Sequence, residues 1–428
     1  MACMDARQMK ASASGIQRHF IGAGQSTDFY VTTPLSALLM MKMRKSQRER
    51  FRNEVGNIMS ESMNIVRRSV NRRSLLKGGL LTGGAVTLGA GLLGRAVPAF
   101  GQSDGSLNRG DIAILRFLAA AELLESDLWT QYAELGGIGD QLPIEVNPNQ
   151  PMNAYQAALS NLDSDGPQYI TSNTIDEISH ANFLNGYLES KGADPVNLDE
   201  FRILQGSTAT GAQDIGRLTN LLQLTVDTSW FVRYRSTTNP DAGATYPQAV
   251  KIVNKPAIPR TDADFGNANL IQVIANTAAF HFGAIEQGGT SLYAALSQKV
   301  SHPEVLQITL GIGGDEIAHF LEWVDFAGNG VQAPVAPVAA NGVTFPNFFS
   351  NPPNPLIQPS LIFPVPAEFV SPDLPRCATI RPITDKFAGA RAAVEGLTAS
   401  GLFAGQTQEF FKALQTLADE ADAAVRKC

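Results

Sequence analysis

Six side chains in this 428-residue chain have the types and spacing to hold metal: Glu122, Glu177 with His180, Glu286, and Glu316 with His319. Residues i and i+3 share a helix face, so each Glu-x-x-His pair aims a carboxylate and an imidazole at one point. One Glu from each of two helices, with a Glu-x-x-His from each of two others, is the set that holds two ions in a four-helix bundle. Four carboxylates and two imidazoles suit iron or manganese better than a thiol-seeking ion. Two divalent cations would also neutralise four carboxylates that otherwise repel one another and take up protons.

The segments that must position these groups read as apolar helix faces. Leu115, Leu118 and Trp129 accompany Glu122, and Ile170, Leu184 and Tyr187 accompany Glu177. Ala279, Phe282 and Tyr293 accompany Glu286, and Ile312, Phe320 and Trp323 accompany Glu316. A Glu inside such a stripe is costly unless paired or metal-bound. A single Glu-x-x-His is common on solvated helices, but two copies, each preceded by a helix with a central Glu, make a set. Two of the chain's five histidines fall in these motifs.

Other residues read as lesser candidates. Glu125, three after Glu122, competes with it as ligand. Asp176 and Asp315 can orient the histidines as hydrogen-bond acceptors, or be solvated helix acids. His281 lies about 140° round the helix from Glu286, which suits a core or surface position rather than a ligand. His302 reads as a helix cap. Trp129, Tyr293 and Trp323 each lie seven residues after a ligand Glu, where core packing is preferred over electron supply to a bound oxidant.

Ala121-Glu122-Leu123-Leu124-Glu125, Asp176-Glu177-Ile178-Ser179-His180, Ile285-Glu286-Gln287-Gly288-Gly289 and Asp315-Glu316-Ile317-Ala318-His319 together resemble the ferritin-like superfamily. Within it, the likeness is to ferritin-like domain and desiccation-related proteins, and the doubled Asp-Glu-x-x-His is similar to bacterioferritins. The resemblance spans 105–330, about half the chain. It implies an all-α fold, a ferritin-like four-helix bundle with one long crossover. It also implies a di-iron or di-manganese site formed by the six residues above. The long stretch between the second and third helices departs from the pattern. So do Gly288-Gly289 and the glycines of 311–314, unusual inside helices.

Near the other end, Asn71-Arg72-Arg73-Ser74-Leu75-Leu76-Lys77 precedes a Gly-rich apolar run over 78–94 and small residues near Ala99 and Gly101. This resembles a twin-arginine export signal, 63–101, and implies the twin-arginine machinery as partner. The rival is a membrane anchor, for which about 17 residues is marginal. Residues 1–62 read as an over-extended start, or as an organellar presequence ahead of a lumenal signal. The implied destination is the periplasm or exterior, with an organelle lumen as the alternative. Export of a folded protein would let metal load in the cytoplasm, away from copper and zinc that bind such ligands more tightly.

Residues 1–101 carry 15 of the 33 basic and 5 of the 40 acidic residues, so the remainder has a net charge near −17. Nucleic-acid binding requires a basic face and is excluded as an expectation. Cys377 and Cys428 could close a 51-residue loop as a disulfide, or remain two thiols. No Cys-x-x-Cys exists, which removes zinc-ribbon and thioredoxin readings.

Helical periodicity predicts helices over 111–135, 169–190 and 262–300, with a fourth opened by Pro303. It also suggests a short helix over 152–162 and an inserted helix over 214–234. Residues 331–376 hold 11 of the 24 prolines and read as an extended segment. The tail, 377–428, reads as helical, with Phe410, Leu414, Leu417, Ala421 and Ala424 in one stripe. Packing onto the bundle is preferred for that stripe, with a homo-oligomer contact as alternative.

The function expected is an exported protein whose two Fe or Mn ions react with O2 or peroxide, a ferroxidase- or peroxidase-like oxidoreductase. The alternative is a non-catalytic stress-related or metal-binding protein of the same fold. Iron storage needs a shell, for which nothing in the sequence argues.

Overall fold

The computed structural model describes residues 106–138, 153–160, 162, 165–233, 248–328, 337–348, 370–371, 373–377 and 389–427. All belong to the second of two compact units, Ala99–Cys428. The export signal, residues 1–62 and Cys428 lie outside the described residues; Cys377 is exposed. Among the described residues no helix is long and apolar enough to cross a membrane.

The fold is helix-rich, with a few short strands. Helix α1 spans Arg109–Gly136 and starts at Asn108, whose Oδ1 accepts from the backbone N–H of Gly110 and Asp111. Helix α2, Gly166–Ser190, has a proline in its first turn, and Gly192 follows its end at φ +74°. Helices α4 (Ala268–Ser297) and α5 (Pro303–Gly328) are joined by a short turn. His302 Nδ1 accepts from Glu304 N–H at 3.2 Å, the capping role its position suggests. Asp111 accepts from the backbone of Ser301 and His302, fastening the start of α1 to that turn. α1 packs chiefly on α2 and α4 on α5. Trp129 joins the two pairs, 4.9 Å from Phe282 and stacked 5.2 Å from Trp323.

The connection from α2 to α4 is not helical as the periodicity suggested. Residues 214–234 supply β2 (Gly216–Arg217), paired with β1 (Leu204–Gln205), then β3 (Leu224–Val226) and only a four-residue helix, α3 (Trp230–Arg233). Strand β4 (Ile252–Lys255) pairs with β3. The physical reason is Asp127, buried on α1. Its carboxylate accepts from Leu218 N–H (3.0 Å), Thr219 N–H (2.9 Å), Thr219 Oγ1 (2.7 Å) and Arg202 Nη1 (2.7 Å). Tertiary acceptors capture donors that a helix would need internally, and local propensity yields.

Two further helix expectations are corrected. Residues 154–160 form turns: Asn153 and Gln156 exchange side-chain-to-backbone bonds at one turn that no helix continues. Residues 262–266 are a separate 3-10 turn, with Asp264 gripping Arg260, and Asn267 caps α4 by accepting from Leu270 N–H. Within the proline-rich segment, β5 (Val338–Ala340) and β6 (Val343–Phe345) form a hairpin. Asn341 and Gly342 sit at φ 49° and 73°, the geometry an Asn-Gly turn favours. Its Phe345 and the following Phe348 pack on Phe280 of α4.

Helices α6 (Ala390–Ala399) and α7 (Gln408–Asp422) end the described chain. Phe410, Leu414, Leu417, Ala421 and Ala424 are all buried, and α7 packs on α1. The stripe is therefore used within the chain. Asp422 also accepts from the first backbone N–H groups of α6, supplying its cap.

Candidate metal centre

α1, α2, α4 and α5 each turn acidic side chains toward one point in the core. Glu122, Glu177, Glu286 and Glu316 are at most 1% exposed, and His180 and His319 are also buried. They form two groups with ligand atoms within 4.8 Å of one another: Glu122, Glu177, His180 and Glu316; and Glu177, Glu286 and His319. Either can hold a metal ion. Glu177 belongs to both: Oε2 is 3.3 Å from His180 Nδ1, and Oε1 is 3.1 Å from His319 Nδ1. One carboxylate thus faces both imidazoles, as a bridging ligand must. His180 Nδ1 is also 3.4 Å from Glu122, and His319 Nδ1 is 3.2 Å from Glu286.

The far ring nitrogens are held by the motif aspartates in a crossed pattern. Asp315 Oδ2 is 3.2 Å from His180 Nε2, and Asp176 Oδ2 is 3.4 Å from His319 Nε2. Each Asp lies nearest the histidine of the other motif, and Asp315 Oδ2 is also 3.8 Å from Nε2 of its own motif's His319, one turn along the same helix face. An acceptor at Nε2 keeps the proton there and leaves Nδ1 as the donor atom to a cation.

The donor set fits a cation. Both oxygens of the fully buried Glu316 lack a hydrogen-bond partner. A buried carboxylate without partners is among the costliest groups a core can contain. Without a cation, protons would have to take its place. Burial, and then the charge of Glu122, pushes Glu177 up to about 8. Burial and the Glu177 charge push Glu316 well above the usual carboxylate range. Burial acts against a charged His180, but hydrogen bonds to Glu122 and Glu177 outweigh it and raise it to about 10. His319 is likewise raised: burial opposes its charge, and the Glu286 carboxylate with its other acid partners prevails. Glu122 goes the other way. Burial pushes it up, but His180, Glu177 and the Tyr293 hydroxyl hold it below the usual range.

The choice between Glu122 and Glu125 is decided by direction. Glu122 enters the ligand cluster, whereas Glu125 does not and lines a neighbouring cavity. His281 is no ligand: it is buried against Tyr132, 2.7 Å from its hydroxyl, and burial lowers its pKa to about 3. Trp129, Tyr293 and Trp323 are core residues with polar ends in use. Trp129 Nε1 donates to Glu286 (3.0 Å), Tyr293 donates to Glu122, and Trp323 Nε1 donates to Asn173 (2.7 Å). Sequence reading missed these bonds, although the seven-residue spacing placed all three aromatics on the ligand face.

The glycines do not interrupt the helices. α4 runs through Gly288-Gly289 and α5 through 311–314 without a break. A Cβ on Gly289 would land on the Glu316 carboxylate, and one on Gly313 would stand 2.8 Å from Tyr293 Cβ. Those two are bare so that the helices can approach across the cage. In comparisons with family models, curated proteins and solved structures, none matches this chain.

Proposed function

We propose that this is a ferritin-like protein whose α1, α2, α4 and α5 form a four-helix bundle around two iron or manganese ions, and that it acts as an oxidoreductase on O2 or peroxide. One observation carries the reading: Glu177 presents one oxygen to each imidazole beside Glu316, a buried carboxylate with neither oxygen partnered. Glu122, Glu177, His180 and Glu316 would hold one ion, and Glu177, Glu286 and His319 the other. When bound, an adjacent pair of such ions supplies two electrons, one from each, which matches two-electron reduction of peroxide. The protein's part is orientation and exclusion. Asp176 and Asp315 fix the imidazoles, Trp129 and Tyr293 hold Glu286 and Glu122 by one oxygen each, and the aromatic core keeps water away.

Anaerobic reconstitution with ferrous ion should give about two metals per chain by elemental analysis. Stopped-flow absorption after mixing with O2, then with peroxide, should show oxidation faster than that of free ferrous ion. Full loading with no acceleration by either oxidant would make the protein a metal binder and end the enzymatic reading.

The same reading includes delivery by the twin-arginine route. A reporter fused to residues 63–105 should be exported, and changing Arg72 and Arg73 together to Lys should stop it, because that route reads the pair rather than its charge. Continued export of the double-Lys fusion would count against this route.

A further inference from the structure

Beside the ligand cage lies a cavity of about 590 Å³ that the di-metal reading leaves unused. Its walls come from four parts of the chain: Leu124 and Leu128 of α1, Val226 and Ile252 of the β3–β4 pair, Ile285 and Leu292 of α4, and Leu397 and Phe403 of the C-terminal region. The C-terminal wall is anchored, since Asn220 N–H donates to Leu402 O (2.7 Å) and Thr225 N–H to Ser400 O (2.8 Å). Interiors close over gaps far smaller than this one, and an apolar chamber of such volume is of the size that organic ligands fill.

Two features give the chamber an orientation. Thr225, Gln248 and Lys251 supply polar groups to its lining, and Gln248 and Lys251 are exposed. At the cage side stand Gly288, Gly289 and Glu125. Gly289 is the residue whose Cβ position the Glu316 carboxylate overlaps, so the chamber wall there is one backbone thick. Glu125 Oε2 is out of solvent and has no hydrogen-bond partner. Buried polar oxygens are as a rule hydrogen-bonded, and Glu125 belongs to no metal cluster among the described residues.

We infer that the chamber binds a medium-chain aliphatic molecule ending in one hydroxyl, with that hydroxyl donating to Glu125 and its chain along the leucine-rich walls. The aliphatic lining selects the chain, and the orphan carboxyl oxygen selects the single polar end. Its role as substrate class rests on the proposed metal centre; its binding does not. The arrangement gives the C-terminal helices a function beyond covering the core, because they close one side of the chamber.

The test is displacement of 1-anilinonaphthalene-8-sulfonate fluorescence from the full chain by decan-1-ol, with decane as the comparison. Wild type should bind decan-1-ol more tightly than decane. Gly288→Phe, placed where a Cβ meets nothing within 4 Å, should fill the chamber and weaken decan-1-ol by about tenfold or more. Leu397→Trp, on another wall, should do the same, and Glu125→Leu should abolish the preference for the alcohol. Metal content should match wild type in all three variants. Decan-1-ol binding unchanged by both filling variants, or absent from wild type, would overturn the inference. Normal alcohol binding by a chain that takes up no metal would instead leave the chamber standing and remove the metal centre.

Discussion

Gly289→Ala should cut the metal content from about two ions per chain to less than about one, approaching what Glu316→Ala does. The added methyl carbon would overlap a Glu316 oxygen and sit 2.7 Å from its carboxyl carbon. Glu316 is fully buried, with Gly313 and Tyr293 packed one turn away, so the carboxylate has little room to retreat except out of its ligand position. Alanine is the better helix former by about 1 kcal/mol, so nothing in the helix itself opposes the change. Metal-free Gly289→Ala should therefore remain folded by circular dichroism while elemental analysis shows the loss. Gly288→Ala is the control: a Cβ there meets nothing within 4 Å, and metal content should be unchanged. Wild-type loading in Gly289→Ala would mean that Glu316 is not held where a ligand must be.

Metal uptake should expel protons, and the apparent affinity of the pair should rise steeply with pH. Near pH 7 the metal-free cage holds protons on Glu177, raised to about 8 by burial and the Glu122 charge, and on His180, raised to about 10. Glu316 and His319 are raised as well. Cations must displace these, so loading should release about two to four protons, measurable by calorimetry in buffers of different ionisation enthalpy. The stability of the metal-free protein should move in the opposite sense. A raised folded pKa contributes stability below the unfolded value, 4.5 for Glu177 and 6.5 for His180, and that contribution is lost as pH rises through about 8 and about 10 respectively. The melting temperature of metal-free protein should thus fall between pH 5 and pH 8, while added Mn(II) raises it more at the higher pH. A metal-induced shift that is the same at both values would exclude protonated ligands in the metal-free cage.

Much of this was legible in the chain itself. Glu-x-x-His at i and i+3 puts both groups on one face of any helix, whatever the helix packs against. The apolar stripes around the four glutamates said that those faces point inward, so six residues and four long helices could be named from spacing alone. Pro303 and the Phe410–Ala424 stripe were equally local signals, and both elements lie where those signals put them. Other features depend on partners distant in sequence. Residues 214–234 have helical periodicity, yet Asp127 nearly a hundred positions earlier takes the backbone donors of Leu218 and Thr219, in the bend between β2 and β3, that a helix would need. Asp176 and Asp315 were visible as candidates, but their crossing to the opposite motif's histidine needs two helices in register. Glu122 and Glu125 are indistinguishable by type and neighbourhood, and only packing turns one into the cage and the other into a chamber walled by four segments of the chain. Periodicity determines which face of a helix is buried; what that face meets is decided by long-range hydrogen bonds and shape, which no local spacing encodes.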